Sequence, residues 1–255
     1  MKQRLLFLIA SLLLSMAGVQ TAMAQKIILK LSGSEPVKYD VSRVEYIAFE
    51  EGEPPIIDDH EFVDLGLPSG TLWATCNVGA NSPEEYGDYF AWGETEPKDT
   101  YSWTNYKYCN GSATTLTKYC TNSSSGKVDN ITVLEAEDDA ATVNWGSGWQ
   151  MPRDAQIVEL YDSNNTTTSW TTQNGVDGLL ITSKTNGKTL FLPAAGYWDN
   201  ADLVNAGISG EYLTCSLSTR YNKSAFTLCF DSSSVEWNYR TERRMGRVVR
   251  PVRKQ

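Results

Sequence analysis

Along most of this chain, apolar and polar residues alternate in short runs, and turn residues separate the runs. "KIILKL" and "VEYIAF" are apolar and β-branched, "VKYDV" alternates with a period of two, and "SGSEP" supplies turn chemistry between them. They predict a small three-stranded β-unit over residues 25–51. A unit of that size buries little core by itself, so it is expected to dock on a larger domain or on a partner. The acidic "EEGEPPIIDD" carries paired prolines and reads as a linker, placed at 52–60. From 61 to 255 the same short-strand pattern continues. "EFVDLGLPSGTLWATCNVG" predicts two strands around Pro68-Ser69-Gly70, "LLITS" and "TLFLP" flank an Asn186-Gly187 hairpin turn, and "GEYLTCSL" pairs with "SAFTLCF". In "RVVRPV", Val248, Arg250 and Val252 alternate with Val249 as a last strand, and Pro251 confines it to an edge or a strand end.

Two segments leave this period. "EAEDDAATVNW" places acids where a first helical turn has its positive dipole end, so Glu135, Glu137, Asp138 and Asp139 read as dipole compensation. "PRDAQIVELYDS" starts at Pro152 and puts Ile157, Leu160 and Tyr161 on one face. Arg153 is a poor cap, and Asp154 is expected to take that role. Residues 101–130 are rich in Ser, Thr and Asn and predict an ordered surface loop rather than a core element. The fold class expected is α+β, with short antiparallel sheets and two helices, preceded by the small β-unit.

The first residues change where the protein is expected to work. Lys2 and Arg4 precede an apolar run from Leu5 to about Met16, and Ala22-Met23-Ala24 closes it as a small-x-small cleavage signal. Residues 1–24 therefore read as a secretory signal peptide, with the product exported to the periplasm, cell surface or medium. No later segment is apolar enough to cross a membrane as a helix. Formal net charge is −9, and loss of Lys2 and Arg4 leaves 20 basic against 31 acidic side chains, or −11. An exported chain with that field repels phosphate, so nucleic acid is not an expected partner. Export also permits disulfides among Cys76, Cys109, Cys120, Cys215 and Cys229. "KYCNGS" and "KYCTNS" echo each other, so Cys109 and Cys120 are a candidate bridge. Cys215 and Cys229 flank the late hairpin as a weaker candidate pair.

Catalytic chemistry is sparse. His60 is the single histidine and reads as a solvated linker residue, which excludes sites built on two histidines of one chain. Glycine-rich phosphate loops and zinc-type cysteine spacings are absent. No metal and no cofactor are expected.

"VDLGLPSGTLWATCNVGA", "YGDYFAWGE", "GWQMPRDAQIVEL", "FLPAAGYW" and the terminal "GRVVRPV" occur in that order. Together they resemble the Fibrobacter succinogenes major paralogous domain, common in exported proteins of gut Bacteroidota, over residues 61–253. That family resembles the C-type-lectin-like fold in the version shared with formylglycine-generating enzymes. The resemblance implies a compact domain whose two ends meet in one sheet, a Trp-rich half with irregular loops, and an exposed face leading into the last strand. It also implies that Cys215 and Cys229 are the only counterparts of an oxidase cysteine pair, although their flanks read as strand positions with no base nearby. "TEPKD" at 95–99 and "YWDN" at 197–200 are superficially similar to lectin calcium motifs, but their internal order is wrong. The function implied is an exported, non-enzymatic binding module for a glycan or protein ligand outside the inner membrane. Its contact residues are expected to be Tyr221, Asn222, Trp237, Asn238, Tyr239, Arg240, Arg243 and Arg244. The alternatives are a structural or adhesive surface subunit and, with least support, a formylglycine-generating-type oxidase.

Overall fold

The computed structural model describes residues 26–29, 37–40 and 60–254. The chain separates into two units, 1–55 and 56–255. In the first, β1 (Lys26–Leu29) and β2 (Val37–Asp40) pair antiparallel, with Lys26 opposite Asp40 and Leu29 opposite Val37. The signal peptide, the third strand expected from "VEYIAF" and linker positions 52–59 lie outside the described residues.

The second unit is strand-rich, built of small antiparallel sheets and two helices. β3 (Phe62–Asp64), β4 (Thr71–Ala74) and β13 (Val252–Lys254) form one sheet with β4 in the middle, and Trp73 lies opposite both Val63 and Val252. The two ends of this unit therefore meet in a single sheet. Its first hairpin closes through the Gly70 amide, which donates to the Leu67 carbonyl at 2.9 Å. Regular pairing in "RVVRPV" begins only after Pro251, because proline has no amide to donate; its carbonyl accepts from Ala74. Upstream, Arg247 and Val248 make single bridges to Phe90 and Tyr212.

β5 (Thr166–Gln173), β6 (Val176–Ser183) and β7 (Thr189–Pro193) form a meander. Asn174 and Gly175 turn the first hairpin with φ of 49° and 85°, the left-handed pair a two-residue turn demands. β8 (Tyr197–Asp199) pairs with β9 (Asp202–Val204). The last sheet runs β10 (Ser209–Leu217), β11 (Ser224–Asp231), β12 (Val235–Glu242), so β12 is an edge. Every residue of β10 is buried.

The acidic helix forms in two pieces, a 3-10 turn at Ala136–Asp138 and α1 (Ala140–Trp145). Asp139 caps α1 by accepting from the Thr142 amide at 2.9 Å. α2 spans Asp154–Tyr161 and buries Ile157 and Leu160. Its start corrects the expectation for Asp154: the Arg153 amide donates to the Gln156 side chain at 2.9 Å, and Asp154 instead accepts from the Ser216 hydroxyl. Among the described residues, no helix is long and apolar enough to cross a membrane.

Between β4 and β10 lies the largest correction. Residues 101–130 are irregular, yet Tyr101, Tyr106, Tyr108 and Tyr119 point inward and are buried with Trp92 and Trp149. The phenols account for this. Each ring joins the core while its hydroxyl keeps a partner: Tyr106 donates to the Trp92 carbonyl at 2.7 Å, and Tyr101 to that of Tyr89 at 2.5 Å. The loop folds back on itself at Gly126 (φ 151°), where an added Cβ would lie 2.1 Å from the Leu116 carbonyl oxygen. Only glycine fits that approach.

Candidate functional site

The basic C-terminal stretch divides into committed and uncommitted side chains. β12 pairs with β11 so that Tyr239 lies opposite Thr227 and Arg240 opposite Phe226. Tyr221 sits between β10 and β11, 46% exposed, and Tyr239 is 44% exposed. These two rings, with Lys223, Ser224, Glu236 and Arg240, line a shallow depression of about 410 Å³. The Arg240 guanidinium stands 5.5 Å over the Phe226 ring and makes no ion pair among the described residues. Arg220 covers Tyr221 at 5.3 Å. Lys223 is 3.2 Å from Glu242. Trp237 and Asn238 belong to β12, but their side chains lie outside the described residues.

Asn222 and Arg243 are not presented outward, which corrects the expectation for both. Asn222 is buried; its carbonyl oxygen accepts from the Thr121 and Asn122 amides at 2.5 and 3.0 Å, tying the irregular loop to the late hairpin. Arg243 is also buried, over the Trp92 ring at 4.9 Å. It donates to the Tyr106 hydroxyl (2.7 Å) and to the carbonyls of Tyr119 (2.8 Å), Lys118 (2.9 Å) and Asn222 (3.1 Å). A guanidinium reaches several carbonyls of a chain with no regular partner strand, so Arg243 does for the loop what a ladder does elsewhere. Arg247 pairs with buried Glu211 at 2.7 Å. Arg250 donates to Asn77 and to the carbonyls of Ala74 and Thr75. Arg244 is held by Asp199 and Glu242 at 2.7 and 2.9 Å. Among the described arginines from 240 to 250, Arg240 is the one without a side-chain hydrogen bond or ion pair.

A second polar centre had no clear signal in the sequence. Asp138 is buried, not compensating a dipole, and accepts from Lys118 (2.7 Å), Lys107 (3.1 Å), Tyr119 (2.7 Å) and Tyr108. Burial alone would raise its carboxyl, but hydrogen bonds from Lys118, both tyrosines and Lys107 outweigh it and hold the group down to about 2. Glu135 and Glu137 converge on the same place. Lys118 puts its ammonium 2.5 Å from Glu135 and 3.6 Å from Glu137, supplying the positive charge that three carboxylates would otherwise take from a cation.

The thiols are free. Cys109 faces Leu116 across a backbone bridge and donates to the Trp103 carbonyl at 3.0 Å, while Cys120 donates to the Asn122 carbonyl at 3.1 Å. The two sulfurs are not bonded to each other, which corrects the expected bridge. Cys215 and Cys229 are likewise unbridged. Burial first, then the nearby Asp139, pushes the Cys215 thiol up to about 12; burial and Glu211 do the same to Cys229. Neither is a ready thiolate. His60 is a packed ring rather than a solvated one, stacked on Trp145 at 3.6 Å and 8°.

No family model, curated protein or solved structure matches this chain.

Proposed function

We propose that the second unit is a C-type-lectin-like, non-enzymatic binding module of an exported protein, recognising a glycan or protein ligand outside the inner membrane. The observation that carries this reading is the depression between Tyr221 and Tyr239 with Arg240 beside it. Two half-exposed phenols offer flat apolar faces with hydrogen-bonding tips, and an unpaired guanidinium beside them favours an acidic group on the ligand. The meeting of both ends of the second unit in the β3–β4–β13 sheet, and the aromatic half without ladders, support the lectin-like assignment. High thiol pKa values at Cys215 and Cys229 weigh against the oxidase alternative.

A Tyr239→Ala/Arg240→Ala variant is expected to lose binding about tenfold or more on a glycan and host-protein array, since aromatic and arginine anchors dominate such contacts. Both side chains are exposed, so the fold survives their loss. Equal array signals from variant and wild type would remove this face as the binding site.

The structural or adhesive reading has its own support in the first unit. A β1–β2 pair of four residues per strand is marginal alone in water and favours a docked role. Deleting residues 25–52 tests it. An assembly defect with intact array binding assigns that unit to subunit docking; unchanged assembly removes the role.

A further inference from the structure

Two segments about 100 residues apart, "TEPKD" and "YWDN", are brought together by the fold. The backbones of Tyr101 and Asn200 exchange hydrogen bonds at 2.9 and 3.1 Å. Beside this bridge lies a depression of about 330 Å³ lined by Asp88, Tyr89, Lys98, Asp99, Tyr101 and Trp198. Trp198 and Tyr89 meet edge to face at 6.3 Å and form an aromatic wall, with Trp198 half-buried.

The charges around this wall are unevenly matched. Lys98 is already taken by Glu94 at 2.7 Å, and neighbouring Asp199 by Arg244 at 2.7 Å. Asp88 and Asp99 are exposed, and neither has a cation or a hydrogen-bond donor on its side chain among the described residues. Both carboxylates line this depression and add to the negative field at the Tyr101 phenol. Two unmatched negative charges beside the half-buried Trp198 and Tyr89 rings make a seat for an organic cation, which gains from the carboxylates and from the rings together. A neutral sugar would use the aromatic wall but leave both charges unmatched.

We infer that the Asp88–Asp99–Trp198 depression is a second binding site, separate from the Tyr221–Tyr239 face, that takes an organic cation the size of one lysine or arginine head group. The chain's acidic net charge of −9 steers such cations toward it.

The test uses the full chain with its tryptophan indole N–H signals resolved by NMR, that of Trp198 being assigned with a Trp198→Phe variant. Nα-acetyl-arginine amide represents a basic side chain, glucosamine an aminated sugar, and N-acetylglucosamine is the neutral control. At least one cationic probe is expected to shift the Trp198 signal saturably, and Asp88→Asn/Asp99→Asn to weaken that binding about fivefold or more. The stronger of the two cationic probes identifies the source of the group. Asp99→Asn alone serves if the double variant does not fold. The inference is overturned if neither cation binds wild type, if the amide variants bind it equally well, or if the neutral sugar binds as tightly and survives both substitutions.

Discussion

Arg247→Met is expected to lower the stability of the second unit by about 3–5 kcal/mol, the cost of leaving a buried carboxylate without its cation. Arg247 and Glu211 are both buried and 2.7 Å apart, and the guanidinium also donates to the Glu242 carbonyl and covers the Tyr197 ring at 5.3 Å. Removing only the arginine leaves buried Glu211 on β10 without its cation. Arg247→Met combined with Glu211→Leu removes both charges and is expected to recover most of the loss, because a buried pair gains little over apolar residues of similar volume. Denaturant unfolding of the two single variants and the double variant checks this. At about 2–4 °C per kcal/mol for a domain of this size, the Arg247→Met midpoint should fall by roughly 10 °C. A double variant no more stable than Arg247→Met would show that the arginine acts through its carbonyl contacts and not through the pair.

Asp138 is expected to make the fold acid-sensitive in a defined window. Its folded pKa of about 2 lies below the ordinary carboxylate value, because the donors from Lys118, Tyr108, Tyr119 and Lys107 outweigh burial. A depressed pKa contributes stability that is complete above the unfolded value of about 4 and is lost as pH falls from there to about 2. A shift of this size sets an upper limit of about 2.5 kcal/mol at neutral pH, which solvent screening around the exposed Lys107 and Glu137 reduces. Asp138→Asn keeps the shape, loses the charge and leaves Lys118 with Glu135 and Glu137. Unfolding free energies of wild type and variant measured from neutral to acidic pH should differ most above pH ~5 and converge toward pH ~2. A gap that stays constant with pH would mean that the carboxylate's ionisation does not hold the loop.

Much of the strand pattern was legible because period-two alternation and turn residues are local. The Asn186-Gly187 hairpin, the "GEYLTCSL"/"SAFTLCF" pair and the Pro251 limit on the last strand all follow from neighbours within a few residues. Exposure at the candidate face was half legible. Tyr221, Tyr239 and Arg240 do stand at the surface, while Asn222 and Arg243 do not. "YRTERRMGR" carries no local mark that Arg243 is drawn inside while Arg240 stays at the surface. Arg243 is drawn inside by Trp92, Tyr106 and the carbonyls of a loop more than 100 residues away. The irregular loop hid its own role for a similar reason. Its Ser, Thr and Asn content marks it as surface, and the tyrosines that anchor it are too irregularly spaced to show a period.

The sequence by itself determined the strand-rich α+β class, the turns and where two short helices form, because backbone propensity and side-chain period act over a few residues. Only the tertiary structure decided which charges are spent inside the protein and which face outward. That choice depends on donors and acceptors brought together from distant segments, as when Asp138 gathers Lys107, Lys118, Tyr108 and Tyr119, and when Asp88 and Asp99 are left without a partner among the described residues. A buried charge must be matched by whatever the fold places beside it, and no local pattern records that neighbour.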